Sequence, residues 1–274
     1  MSTFEIGFCW GFDDVAPLEG LQRLKLLGFD GIELWPDVLD RHGVNVWADA
    51  LAATGMRCLQ LCPYFNFVNG PEAVAKSRED LLQFIDIGEH LQCKKLRVFT
   101  GPVHGAGVVG AAAATEDQWA AVSAGLQEFC DISASNQFEL CLECHPGMLT
   151  ETSQSAQRLL RDVNRPNLTV NIQIPLADEP WDYSFQNLGP FATHLHIHNW
   201  HSPVMDFGDG LTYLAEGWFD WESPLRYLVE TLNRRLCVSI EHPKHGGKHD
   251  PWLTAEKDGK YLVGLRRRLD AATT

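Results

Sequence analysis

Glu143, Gln173, His196 and Glu241 each sit at or near the end of a short apolar segment with the alternation of a β-strand, the segments being 138–143, 168–174, 193–198 and 237–241. Side chains alternate faces along a strand, so Leu140, Leu142, Val170, Ile172, Leu195, Ile197, Val238 and Ile240 share one face and the four polar residues the other. Carboxylate, imidazole and amide donors brought to one point suit Mn2+, Mg2+, Co2+ or Zn2+, and the lack of a thiolate in the set argues against a structural zinc. A carboxylate that ends an apolar strand is partly desolvated, which costs free energy unless a cation or hydrogen bonds compensate. Salt bridges to Arg or Lys are the alternative use for Glu143 and Glu241.

His194, His196 and His198 occupy alternate positions and are expected to share a face. One of them is expected to ligate a metal while the others touch substrate or steady the ligands; spacing alone does not choose among them. Gln173 fits a ligand, a contact to a sugar hydroxyl or a partner for a backbone group equally well. Glu33 and Trp35 end a strand with the same parity and Arg97 shares that parity on another, so Glu33 is expected either to accept from a substrate hydroxyl or to pair with Arg97. Trp10, Trp35, Phe65, Trp200 and Trp218 lie near strand ends or in the following loops, where flat rings stack on a sugar or simply pack. His145, Lys244, His245 and Lys248 follow two of the polar-ended strands and suit contact with an anionic or carbonyl group or with solvent. No nucleophile elbow, phosphate-binding lysine loop or dinucleotide glycine pattern competes with this set.

Eight strand-like runs position these residues: 4–9, 31–35, 57–62, 95–100, 138–143, 168–174, 193–198 and 237–241. Segments with helical spacing of apolar residues separate them at 18–27, 72–91, 116–134, 153–163 and 221–232, with a last helix near 255–269. Alternating strand and helix implies parallel strands joined by right-handed crossovers. Eight such units close a (β/α)8 TIM barrel, and 274 residues fit a single domain over 1–274. Long loops at 101–114, 175–190 and 200–219, rich in Gly, Pro, Trp and Asp, follow strands at the end where such barrels carry their active sites.

Composition narrows the partners. A formal charge of −14 argues against nucleic acid and against anionic membrane surfaces. The start of the chain lacks the basic and apolar pattern of a signal peptide, and no run reaches spanning length, so a cytoplasmic location is expected. The eight cysteines lie mostly in apolar runs and are expected to be buried and reduced. Cys141 and Cys144 have the spacing of a redox or zinc pair, but odd separation along a strand sends them to opposite faces.

Several runs resemble the xylose-isomerase-like sugar (phosphate) isomerase/epimerase superfamily. They are Leu27-Gly-Phe-Asp-Gly-Ile-Glu-Leu-Trp35, Leu96-Arg-Val-Phe-Thr-Gly101, Leu142-Glu-Cys-His-Pro146, His194-Leu-His196, Glu216-Gly-Trp-Phe-Asp-Trp221 and Ser239-Ile-Glu-His242. The resemblance runs almost end to end. It implies a TIM barrel holding one divalent metal ion, Mn2+ first among the candidates, with Glu143, Gln173, His196 and Glu241 as ligands. The sixth-strand ligand of that superfamily is more often Asp, so Gln173 departs from the commoner pattern and leaves the site less negative.

What the resemblance implies for activity is isomerisation or epimerisation of a keto-sugar or sugar phosphate through an enediolate. Glu143 and Glu241 would be the acid and base, with Glu33, Trp35, Arg97, His145, His198 and Trp200 contacting a small carbohydrate. The alternative outcome of the same enediolate is elimination, giving a dehydratase or lyase on a keto-sugar, keto-inositol or keto-glycoside. A DNA-repair nuclease of the same superfamily would need more metal ligands and a basic surface, and a non-catalytic sugar-binding barrel would bind without metal. A homo-oligomer is compatible with the sequence.

Overall fold

The computed structural model describes residues 2–173, 176, 179–204, 206–232, 236–245 and 247–272. The strands are β1 (Phe4–Cys9), β2 (Gly31–Leu34), β3 (Arg57–Leu61), β4 (Lys95–Val98), β5 (Glu139–Cys144), β6 (Leu168–Gln173), β7 (Ala192–Ile197), the short β8 (Asn199–Trp200) and β9 (Leu211–Thr212), and β10 (Leu236–Ile240). Eight of them form a closed barrel in the order β1-β10-β7-β6-β5-β4-β3-β2, while β8 and β9 pair antiparallel as a separate ribbon. The expected (β/α)8 topology is therefore present, with strand ends shifted by one or two residues. Ile174 and Pro175, placed by the sequence in a strand and a loop, lie outside the described residues.

The helices are α1 (Pro17–Leu26), α2 (Pro36–His42), α3 (Val44–Thr54), α4 (Pro71–Leu91), α5 (Glu116–Ser135), α6 (Ser153–Val163), α7 (Trp181–Leu188), α8 (Glu222–Arg226) and α9 (Pro251–Ala272). Helices α2, α3 and α7 are not among the elements expected from the sequence. Pro36 opens α2 and Gly43, at φ 83°, breaks the helix before α3 starts, so neither piece shows a long apolar period. The helix expected at 221–232 is α8 followed by a π-helical stretch, Tyr227–Thr231. No helix among the described residues is long and apolar enough to cross a membrane.

The chain folds as two compact units, one of residues 1–59 and 195–274, the other of residues 60–194. In the first, β1 pairs with both β10 and β2, and the register sets Cys9 opposite Glu33 at the strands' ends. Phe4, Ile6 and Phe8 alternate with these positions and are fully buried, Phe8 packing against Phe12 and Phe29. Gly31 is required there, because a Cβ would meet the Arg57 carbonyl oxygen at 2.3 Å.

In the second unit, β5 lies between β4 and β6, with Arg97 opposite Cys141 and Glu143 opposite Asn171. At the amino ends of these strands Lys95 lies 3.3 Å from Glu139, which accepts a hydrogen bond of 2.7 Å from Thr169 and another from Thr193. Burial works to raise the Glu139 carboxyl, but Lys95 and the two hydroxyls hold it below its usual range. Capping boxes at Thr115 and Thr152 start α5 and α6. All eight cysteines are free and buried, Cys141 and Cys144 among them, as their apolar settings suggested.

Candidate metal and acid-base site

Glu143 and Gln173 lie at the carboxyl ends of β5 and β6 and are almost fully buried. The Glu143 side chain accepts from Arg97 Nη1 at 3.3 Å, and its carbonyl accepts from Thr150 Oγ1 at 2.7 Å. Arg97 is itself buried, donates to the Cys62 and Pro63 carbonyls at 3.2 and 3.3 Å, and lies over the Phe99 ring at 4.1 Å. Burial opposes its charge, but Cys62, Glu143 and Tyr64 together hold the guanidinium above its ordinary value. His145 stands against Phe99 with ring centroids 5.6 Å apart, its Nδ1 2.7 Å from the Pro146 carbonyl oxygen.

Glu33, His196, His198 and Glu241 belong to the other unit. His196 Nε2 lies 3.0 Å from Glu33 Oε2 and its Nδ1 lies 3.3 Å from Glu241 Oε1. Glu241 Oε2 is 3.5 Å from His198 Nδ1 and 3.4 Å from His242 Nε2. The Glu241 amide donates to the Ile197 carbonyl at 3.0 Å, so the ladder continues one residue past β10 and fixes where its side chain starts. Burial would raise the Glu241 carboxyl, yet His242, His196 and His198 hold it well below the usual carboxylate range. Burial pushes His198 down to about 4, which keeps its ring neutral at physiological pH.

Two clusters in this unit bring ligating atoms within 4.8 Å of one another: His198 with Glu241 and His242, and Cys9 with Glu33 and His196. Oxygen and imidazole nitrogen of this kind are the donors a divalent cation takes, so the side chains present fit such an ion. Cys9 and His242 are participants the sequence reading did not single out. Cys9 was one buried thiol among eight, yet it ends β1 with the parity that Glu33 has on β2, and that parity was readable. His242 has no such signal; it enters because the backbone turns into the left-handed region there, at φ 53°.

Of the three histidines in alternate positions, two meet at one carboxylate. His196 and His198, two positions apart, both approach Glu241, at 3.3 and 3.5 Å, as side chains on one strand face do. His194 is buried.

A loop covers the His198 side. Asn199 donates to the Leu214 and Phe219 carbonyls at 2.9 and 2.8 Å and accepts from the Trp200 and Phe219 amides, clamping residues 200–219 to the end of β7. Trp221 Nε1 donates to the His198 carbonyl at 2.9 Å, and Asp258 on α9 accepts from the Leu214 amide at 2.8 Å. Trp200 and Phe207 meet the His198 ring edge to face at 4.6 and 5.2 Å. Trp35 lies roughly parallel to the His196 ring at 6.4 Å. Trp10 and Phe65 are core residues, packed on Trp47 and Phe129, and Trp218 is largely exposed. Lys244 and Lys248 pair with Asp13 and Asp209 at the surface, whereas His245 is buried.

Comparison with known proteins gives this arrangement a family. The chain is 27% identical over 186 residues to a 3-dehydroshikimate dehydratase of Bacillus anthracis, a match covering 63% of this chain and 62% of that enzyme. Among solved structures, a probable 3-DHS dehydratase from Bacillus anthracis superposes with a TM-score of 0.78 at 22% identity, over 94% of this chain and 98% of that one. A D-allulose 3-epimerase from Methylomonas sp. does so with a TM-score of 0.77 at 19% identity, over 97% and 99%. Structures of the same fold with bound magnesium or zinc superpose at TM-scores of 0.70 and 0.76, at 17% and 15% identity. The model of the xylose isomerase-like TIM barrel family matches residues 21–262, and the chain belongs to that family.

Proposed function

We propose that this protein is a divalent-metal-dependent isomerase or epimerase of a small keto-sugar or sugar phosphate, working through an enediolate. The observation that carries the reading is the setting of Glu241. It is a buried carboxylate kept ionised by imidazoles, and its Oε1 faces the ring nitrogen of His196 that Glu33 does not engage. Glu143, Gln173, His196 and Glu241 would hold the ion, Mn2+ first among the candidates; they end or follow β5, β6, β7 and β10, which are neighbours in the closed strand order. A bound divalent cation supplies Lewis-acid polarisation of a ketone and its neighbouring hydroxyl.

The chain's own residues do the rest. One of Glu143 and Glu241 takes the proton from the carbon beside the ketone, and the other returns a proton. Return to the opposite face of that carbon inverts it; return to the former carbonyl carbon moves the ketone. Arg97 pairs with Glu143 at 3.3 Å, while Glu241 has imidazoles beside it that can relay a proton. Glu33, Trp35, Arg97, His145, His198 and Trp200 would bound the substrate, and the Asn199-clamped loop would exclude water.

A second reading is favoured by the dehydratase relative: the same proton abstraction followed by loss of a β-hydroxyl. The experiment is to load the protein with Mn2+ and incubate it in D2O with D-allulose, D-fructose and 3-dehydroshikimate in turn. Deuterium entering next to the ketone of a sugar, with its epimer formed, supports the first reading. Loss of water from 3-dehydroshikimate to give an aromatic product, with no exchange into either sugar, would replace it with the second. No exchange into any substrate, with metal bound, overturns both.

A further inference from the structure

His196 stands between two carboxylates that differ in kind. Glu241 is 11% exposed on its side chain, whereas Glu33 is at 0% and touches the imidazole at the shorter distance, 3.0 Å at Nε2 against 3.3 Å at Nδ1. Glu33 is also held by its backbone. Its carbonyl accepts from the Trp10 amide at 3.2 Å and it lies opposite Cys9 in the β1–β2 ladder, which fixes where its side chain starts. The Trp35 ring lies roughly parallel to the imidazole, at an interplanar angle of 29° and a centroid separation of 6.4 Å.

An imidazole has two nitrogens, and whichever one carries the proton leaves the other as the lone-pair donor. A carboxylate fixed at Nε2 retains a proton there and turns Nδ1 towards Glu241. From these contacts we infer that Glu33 is a positioning residue: it selects Nδ1 of His196 as the ligating nitrogen and holds the ring in the orientation that a metal ion needs. This rests on the metal reading proposed above. It gives Glu33 a task other than touching substrate, and it makes Cys9 a neighbour of the Glu33–His196 contact, not a thiolate ligand.

The inference has a readout that needs no metal. In the metal-free wild-type protein, 15N-labelled at histidine, the His196 Nε2–H proton should resonate downfield and exchange slowly. In Glu33→Gln, which keeps the shape but replaces the charge with a neutral amide, that resonance should move upfield and exchange faster. Mn2+ affinity, measured by electron paramagnetic resonance of the free ion, should fall about 10- to 100-fold in Glu33→Gln, the usual effect of removing a group that orients a metal ligand. Glu33→Asp, which keeps the charge on a shorter stem, should lie between the two. His196→Gln serves as the control for the metal reading itself. If it leaves Mn2+ binding unchanged, the assignment of His196 as a ligand fails and the inference falls with it. If it abolishes binding while a folded Glu33→Gln binds Mn2+ normally, only the positioning role fails. Tighter Cd2+ than Mn2+ binding that is lost in Cys9→Ser would make Cys9 and Glu33 ligands of a soft cation, overturning the inference in another way. Should Glu33→Gln not fold, lack of a protected Nε2–H in the wild-type protein is enough to reject it.

Discussion

Glu143 and Glu241 are both buried acids at the ends of barrel strands, yet their surroundings are built from different chemistry. Glu143 rests against Arg97, a guanidinium that does not lose its proton at any working pH. Glu241 rests among His196, His198 and His242, groups whose charge is set by small changes in surroundings. A carboxylate beside a permanent cation is a fixed anion. One beside imidazoles has neighbours able to take or give a proton. The difference predicts that the two glutamates are unequal partners in catalysis, with Glu241 the better proton carrier and Glu143 the steadier charge.

Turnover gives the largest test. Glu241→Gln and Glu143→Gln are each expected to slow turnover by about 10²–10⁴-fold, the range for a positioned acid or base, with Glu241→Gln at the upper end. Metal content must be measured on both, since both residues are also proposed ligands. Near-normal turnover in a correctly metallated Glu241→Gln would reverse the ranking of the two.

Stability should rank them the other way. Removing the charge of Glu143 leaves Arg97 buried without its carboxylate, and breaking a buried pair costs about 3 kcal/mol. Glu241→Gln gives up contacts that hold its carboxyl well below the usual range, but the imidazoles it leaves behind can remain neutral, so it should cost less than Glu143→Gln. Urea denaturation of the two variants at pH 7 checks this; equal losses would mean that the Arg97 contact is not special.

Titration separates the regions further. Burial pushes His198 and His245 down to about 4 and raises Asp258 to about 7, all in the unit that carries Glu241. Below pH 6.5 the unfolded chain binds protons at His198 and His245 that the folded chain refuses, so their contribution to stability is lost as pH falls towards 4. Asp258 acts with the opposite sign: between 3.8 and about 7 the folded state holds a proton that the unfolded state has released, so stability is lost as pH rises through that window. Asp258→Asn keeps an acceptor for the Leu214 amide and stays neutral. Its stability relative to wild type should grow from pH 4 to pH 7 and level off, reaching about 4 kcal/mol. A difference that does not vary with pH would remove Asp258 from the account.

Metal affinity gives the smallest effect. Gln173→Asp replaces a neutral oxygen with a charged one and should tighten Mn2+ binding about tenfold, while slowing a step that builds negative charge on the substrate. Unchanged affinity with a raised KM would instead make Gln173 a substrate contact.

Much of this molecule was legible in the chain. Eight apolar runs alternating with helix-period segments dictated a parallel barrel, because each strand face and helix stripe must be buried against the other. Polar residues breaking those runs near their carboxyl ends marked Glu33, Arg97, Glu143, Gln173 and Glu241, since a desolvated charge needs a reason to be there. What alternation along one strand cannot give is which side chains of different strands meet. Arg97 could have faced Glu33 or Glu143, and within its unit the register of β4 on β5 gives it to Glu143. Three histidines in alternate positions looked equivalent until the β1–β2 and β10 pairings put carboxylates on both nitrogens of His196. Cys9 and His242 came to the site only through strand register and a left-handed turn, and Asn199 became the clamp of its loop only once residues 214 and 219 returned to it. Periodicity records which face a residue takes; register and loop path, set by packing between segments distant in sequence, decide what it touches.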